Sequence, residues 1–131
     1  MIKVGIADDH KLFREGIRFH LQNMDGVELV LEASNRKELV DMPELSELDV
    51  LLLDLDIPEM DGLSTMKMIK PQYPGLGIII LTMHSDLKMI SHLMELGANG
   101  YLLKDTSPDE FKEAIESVMR NGNYFNQRVS Q

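Results

Sequence analysis

Four apolar runs in this sequence each stop on a side chain that can do chemistry. IADDH ends on Asp8 and Asp9, and LLLDLD ends on Asp54 with Asp56 two residues on. GIIILT ends on Thr82, and GYLLK ends on Lys104. If these four ends meet, Asp8, Asp9 and Asp54 bring three negative charges together. Like charges that close raise one another's pKa values unless a cation offsets them. A hard divalent ion does so, and oxygen-only ligands favour magnesium over zinc. Three carboxylates, Mg²⁺ and the Lys104 ammonium then sum to about zero charge. A carboxylate at the centre can attack an electrophilic phosphorus and give an aspartyl phosphate. The metal and Lys104 neutralise charge on the transferring group, and the Thr82 hydroxyl can bond a phosphoryl oxygen.

Positioning four strand ends together requires a particular fold. KVGIA near the start and VELVLEA, from Val27 to Ala33, are β-like, and so is DVLLLD from Asp49 to Asp54. The last is a near-continuous apolar run of the kind parallel sheets bury. GIIILT and GYLLK, from Gly100 to Lys104, complete five strands. Between them the period becomes helical. Lys11 to Asn23 places Leu12, Phe13, Ile17, Phe19 and Leu21 at helical spacing, and Ser34 is placed to cap a short helix through RKELVD. Pro43 and the acidic residues after it mark a loop. A helix from Leu63 to Lys70 is closed by Pro71, and another runs from Ser85 to Leu96 with Gly97 as its left-handed stop. SPDE, from Ser107 to Glu110, starts a last helix that reaches about Asn121, where Gly122 stops it. NYFNQRVSQ, from Asn123, shows no period and reads as a linker or tail.

Strict alternation predicts an α/β fold: a parallel, doubly wound five-stranded sheet of order 2-1-3-4-5. Ligands of such sheets bind beyond the carboxyl ends of the strands at the switch point. That is where all four chemical ends fall. A buried strand that finishes on Asp54 holds that carboxylate still at the sheet edge, and Pro58 and Gly62 turn the chain away from it.

Composition narrows the function. The 131 residues fit one domain, and 44% hydrophobic content supports a core. Lys plus Arg is 13 against 22 for Asp plus Glu, a net charge of −9. That argues against this segment gripping a nucleic acid or an anionic membrane by itself. No cysteine is present, so disulfides and thiol chemistry are excluded. No signal pattern and no spanning apolar stretch is seen, and the expectation is a cytoplasmic domain without a membrane partner.

Taken together, IADDH, LLLDLDIPEMDG, LTMHSD and GYLLKD resemble the receiver domain of two-component response regulators. REGI, LTMH and the run from GANGYLLKD to SPDE are similar to the NarL/FixJ (LuxR-type) subfamily. The resemblance covers residues 1–122 and implies a CheY-like, or flavodoxin-like, (βα)₅ fold. It implies Asp54 as phosphoacceptor and Thr82 and Lys104 as contacts of the phosphoryl group. It implies Asp9 and Asp54 as Mg²⁺ ligands, Asp8 acting through water, and the backbone carbonyl of Asp56 as a further ligand. Tyr101 becomes the switch aromatic. Phosphorylation would be read at the surface of helix four, strand five and helix five, or at helices one and five. The implied partners are a sensor histidine kinase, a phosphorylation-dependent second copy, and DNA through a C-terminal helix-turn-helix domain absent from this sequence. Such a domain catalyses only its own phosphotransfer and dephosphorylation.

Three positions depart from the family pattern. Ile57 stands where Met is frequent, and Asp105 follows the lysine where other receivers have Pro. Asp56 adds a charge two residues after the phosphoacceptor. Other readings are weaker. LLLDLD also resembles the DxD signature of haloacid-dehalogenase-type phosphatases. Here Pro58 replaces the expected Thr or Val, the acidic pair lies upstream, and no cap domain fits. A pseudo-receiver that only binds proteins would not need the complete acidic set with Thr82 and Lys104. His10 reads as loop or helix start, His20 and His92 as helix surface, and His84 as a residue near the phosphoryl group. Met83, Met89 and Met94 read as packing or a partner face around helix four.

Overall fold

Leu51 and Leu53 face one side of a sheet while Val50 and Leu52 face the other, and all four are fully buried. Ile78 and Ile80 alternate in the same way with Ile79 and Leu81. Side chains of successive strand residues point to opposite faces, so a strand apolar at every position needs cover on both. The computed structural model, which describes residues 1–55, 62–83 and 87–125, provides it.

The strands are β1 (Ile2–Ala7), β2 (Val27–Ala33), β3 (Val50–Asp54), β4 (Gly77–Thr82), β5 (Gly100–Leu103) and β6 (Tyr124–Phe125). The helices are α1 (Lys11–Gln22), α2 (Arg36–Val40), α3 (Gly62–Gln72), α4 (Leu87–Glu95) and α5 (Pro108–Asn121). The sheet order is β2-β1-β3-β4-β5-β6, and every pairing is parallel. The expected 2-1-3-4-5 order is therefore present. α1 and α5 cover one face through Ile17, Leu21, Phe111, Ala114, Ile115 and Val118. α2, α3 and α4 cover the other through Leu39, Met66, Ile69, Ile90 and Leu93. Burying each such side chain stabilises the fold by about 1.5–3 kcal/mol. α5 lies close against β4, because a Cβ on Gly77 would come within 2.6 Å of Val118 Cγ1.

Several local expectations need correction. The tail is not structureless from Asn123: β6 pairs with β5, Gly100 opposite Tyr124 and Tyr101 opposite Phe125. Two strand residues are too few to show a period. The cap of α2 is Asn35, not Ser34. Asn35 is extended, and its side chain accepts from the Glu38 amide at 2.8 Å. Glu38 reaches back to the Ser34 hydroxyl at 3.1 Å. The acidic loop after Pro43 is a 3₁₀ turn, Pro43–Glu47. Pro71 lies inside the last turn of α3, where it gives up one backbone hydrogen bond close to the helix end. Ser107 takes the N-cap position of α5, but its carbonyl, not its hydroxyl, makes the contacts there. Gly97 and Gly122 have φ of 108° and 82°, as left-handed helix stops require. Leu12 and Phe19 share the helical spacing of α1 but are exposed. Among the described residues, no helix is long and apolar enough to cross a membrane.

Candidate functional site

β1, β3, β4 and β5 run parallel, so their carboxyl ends form one edge. Asp8 follows β1, and its amide donates to Ala33 O at 2.9 Å, which extends the pairing with β2 by one residue. Asp54 closes β3 and pairs in register with Leu81, and Thr82 closes β4 opposite Leu103. The Lys104 amide donates to Thr82 O at 2.8 Å, which fixes the first residue beyond β5 beside the end of β4. Four polar residues are buried among those described: Asp8, Asp54, Thr65 and Thr82. Three of them are at this edge. Burying charge without a partner is costly, so the edge must contain its own compensation.

Lys104 supplies it. Its Nζ donates to Asp54 Oδ2 at 2.8 Å and lies 3.0 Å from Asp8 Oδ2. It also lies 4.9 Å above the Phe13 ring. Burial works against the ammonium, but its close approach to the Asp54 and Asp8 carboxylates and their charges outweigh that, so its pKa is raised. The Asp8 carboxylate is positioned from below. Its Oδ1 accepts the His10 amide at 2.7 Å, and Arg14 donates to its backbone carbonyl at 2.7 Å. Asp9 is partly exposed at the rim, with its Oδ1 3.4 Å from His10 Nδ1.

The geometry therefore gathers Asp8, Asp9, Asp54, Thr82 and Lys104 at one edge. Asp56 lies outside the described residues, as do Ile57, Pro58, His84 and Ser85, so the ligand and neighbour roles expected of them are not placed. Tyr101 is fully buried on the α3–α4 side of the sheet, deeper than a half-exposed aromatic. Met83 and Met94 are exposed and Met89 packs against the core. His92 is exposed, and the half-buried His20 stacks edge-on against Phe19.

His10 is the residue that sequence reasoning placed only by its backbone. It is the N-cap of α1, as expected of a helix start. Its ring also turns into the cluster: Nδ1 lies 3.1 Å from Asp8 Oδ1, 3.7 Å from Asp54 Oδ2 and 3.0 Å from Lys104 Nζ. Its place directly after two aspartates was the available signal. One ligand atom from each of Asp8, Asp9, His10 and Asp54 lies within 4.8 Å of the others. This donor set, rich in carboxylate oxygen, suits a hard divalent cation.

Known proteins resemble this chain along nearly all of its length. Residues 4–116 match the family described as response regulator receiver domain. The nitrate/nitrite response regulator protein NarP of Escherichia coli is 37% identical over 98% of this chain and 60% of its own length. The response regulator UvrY of E. coli is 35% identical over all of this chain and 60% of its own. The chain spans about half to three fifths of the curated relatives it matches. Among solved structures, the isolated receiver domain of RcsB from Salmonella enterica, determined with the phosphomimetic BeF₃⁻, superposes with a TM-score of 0.87. It is 31% identical and covers 98% of this chain and 96% of that one. These relatives are regulators of the NarL/FixJ, LuxR-family type. The chain belongs to the response regulator receiver domain family.

Proposed function

We propose that this chain is the phosphoacceptor switch of a two-component system, with Asp54 as the residue that takes the phosphoryl group. The observation that carries this is the Lys104 ammonium, 2.8 Å from Asp54 Oδ2 and 3.0 Å from Asp8 Oδ2, with both carboxylates fully buried. A sensor histidine kinase presents a phosphohistidine. An Asp54 oxygen forms a bond to phosphorus as the phosphorus–nitrogen bond breaks, and the leaving imidazole takes up a proton. Lys104 follows the charge onto the phosphoryl oxygens, and the Thr82 hydroxyl bonds one of them. Asp8, Asp9 and Asp54, with the carbonyl of Asp56, would hold a Mg²⁺, which offsets charge on the transferring group. The fit rests on the clustered carboxylates and on Asp8 Oδ2, a buried oxygen with no hydrogen bond. The protein catalyses its own phosphotransfer and slow hydrolysis and does not turn over a separate substrate.

The output reading follows the relatives. Residues 1–122 form the receiver, and 123–131 lead towards a DNA-binding helix-turn-helix domain in a longer, cytoplasmic regulator of transcription. RcsB has been seen as dimers bound to DNA, which supports a phosphorylation-dependent second copy here. Tyr101 carries the switch between Asp54 and the surface of α4, β5 and α5, or that of α1 and α5. Incubation with acetyl phosphate and Mg²⁺ followed by intact-mass measurement tests the core of this. One metal-dependent phosphate adduct, absent in Asp54→Asn, is expected. An adduct that persists in the variant would remove Asp54 from the role.

A further inference from the structure

The ring of His10 faces the same point as the carboxylates. Lys104 carries only donors, and its Nζ lies 3.0 Å from His10 Nδ1. In the Nε2–H tautomer Nδ1 accepts from Lys104 and turns a lone pair into the cluster; in the Nδ1–H tautomer it faces Asp8 Oδ1 at 3.1 Å, and a bound cation selects the first. Asp8 Oδ1 has no need of that ring proton, because the His10 amide already reaches it at 2.7 Å. Two other acceptors converge on the same positive centre: Asp54 Oδ2 at 2.8 Å and Asp8 Oδ2 at 3.0 Å. The ammonium meets Asp8 Oδ2 as an ion pair outside hydrogen-bonding geometry, so that buried oxygen keeps an unused lone pair. Lys104 thus marks a place where three acceptors already hold one cation.

Donor spacing fits a metal in that place. Ligands about 2.0–2.1 Å from an octahedral ion lie about 3 Å apart along an edge and about 4 Å apart across it. His10 Nδ1 is 3.1 Å from Asp8 Oδ1, 3.4 Å from Asp9 Oδ1 and 3.7 Å from Asp54 Oδ2. Imidazole is a poor partner for Mg²⁺ and a good one for later first-row ions.

We infer that His10 is a ligand of the cation site and sets its selectivity, drawing it towards later first-row divalent ions that accept nitrogen, such as Co²⁺, over Mg²⁺. Ligation through Nδ1 also takes away one of the acceptors that hold Lys104, leaving the ammonium available to a phosphoryl oxygen. The inference rests on the cation site proposed above, and its test separates the two.

Metal-free protein is titrated separately with MgCl₂, MnCl₂ and CoCl₂ by calorimetry, as wild type, His10→Gln, His20→Gln and Asp9→Ala. His10→Gln should weaken Co²⁺ at least about tenfold and Mg²⁺ by less than about threefold, with Mn²⁺ between them. His20→Gln should change none of them. Pulsed electron paramagnetic resonance of the Mn²⁺-loaded wild type should show coupling to one imidazole nitrogen, which needs no variant to fold. Equal Co²⁺/Mg²⁺ ratios in wild type and His10→Gln, with no nitrogen coupling, would overturn the inference. The cation site would still stand if Asp9→Ala weakened all three ions. A wild type that binds none of the ions would remove both.

Discussion

Two lysines lie at opposite ends of the same sheet and meet burial in opposite ways. Lys104, at the carboxyl edge, is surrounded by carboxylates, and its pKa is raised. Lys70, at the amino edge, donates to Leu76 O at 2.6 Å and to Asn99 Oδ1 at 3.0 Å. Burial lowers its pKa, and among the described residues no carboxylate pairs with it. Asn99 is the hub of that end. Its Oδ1 also accepts the Ile78 amide at 2.9 Å, its Nδ2 donates to Gly122 O at 3.0 Å, and its carbonyl accepts the Tyr124 amide at 2.8 Å. One end is held by charge and the other by dipoles. A phosphoryl group brings about −1.5 to −2 charge, and only the first end has charges that rearrange around it. The second end has nothing to redistribute and acts as an anchor for β4, β5 and β6.

The largest effect should come from Asp54→Asn, which reduces the phosphate adduct at least about 100-fold while leaving the Asn99 end intact. Mass measurement reads the adduct and hydrogen exchange reads the far end. Lys104→Met should follow. It leaves two buried carboxylates without their cation and should cost about 2–3 kcal/mol in urea unfolding with chelator present. That is below the full cost of a broken buried pair, because a carboxylate can take up a proton. Added Mg²⁺ should restore part of the loss, and no restoration would separate the lysine from the cation site. Asn99→Ala should cost about 2 kcal/mol by stranding the Ile78 amide and leaving the Lys70 ammonium with Leu76 O but without Asn99 Oδ1, with the adduct unchanged. A slower phosphorylation would show that the two ends are coupled.

The smallest effect is in pH. Lys104 has a folded pKa above its unfolded value of about 10.4. Its charge therefore stabilises the fold fully below that value and is lost as pH rises through the folded pKa. Lys70 has the opposite sign: its charged form is penalised in the fold, and the penalty disappears as pH rises from its lowered folded pKa to the unfolded one. Urea unfolding of Lys104→Met and Lys70→Met against wild type, from neutral pH into the alkaline range, should show the two differences changing in opposite directions. Parallel changes would sink the contrast.

The carboxyl edge was legible because each strand announces its end: an apolar run stops on Asp54, on Thr82 or just before Lys104, and parallel topology brings such ends together. The anchor was not. Asn99 makes its contacts with Lys70, Ile78 and Tyr124 in three elements and with Gly122 at the stop of α5, and no spacing along the chain encodes that set. β6 escaped because two residues show no alternation. The exposed Leu12 and Phe19 show a related limit, since helical spacing identifies a helix but not how much of its apolar face is covered.

The carboxyl edge also has a history in time. Lys104 meets Asp54 across 50 positions and His10 across 94. Contacts that distant in sequence form only once the entropy of closing the intervening chain has been overcome. A growing polypeptide that has made β1 and β3 but not β5 has the Asp54 carboxylate without the Lys104 ammonium. On the phosphoacceptor reading proposed above, competence to take up phosphate is a property of the finished fold, in which Lys104 has reached Asp54.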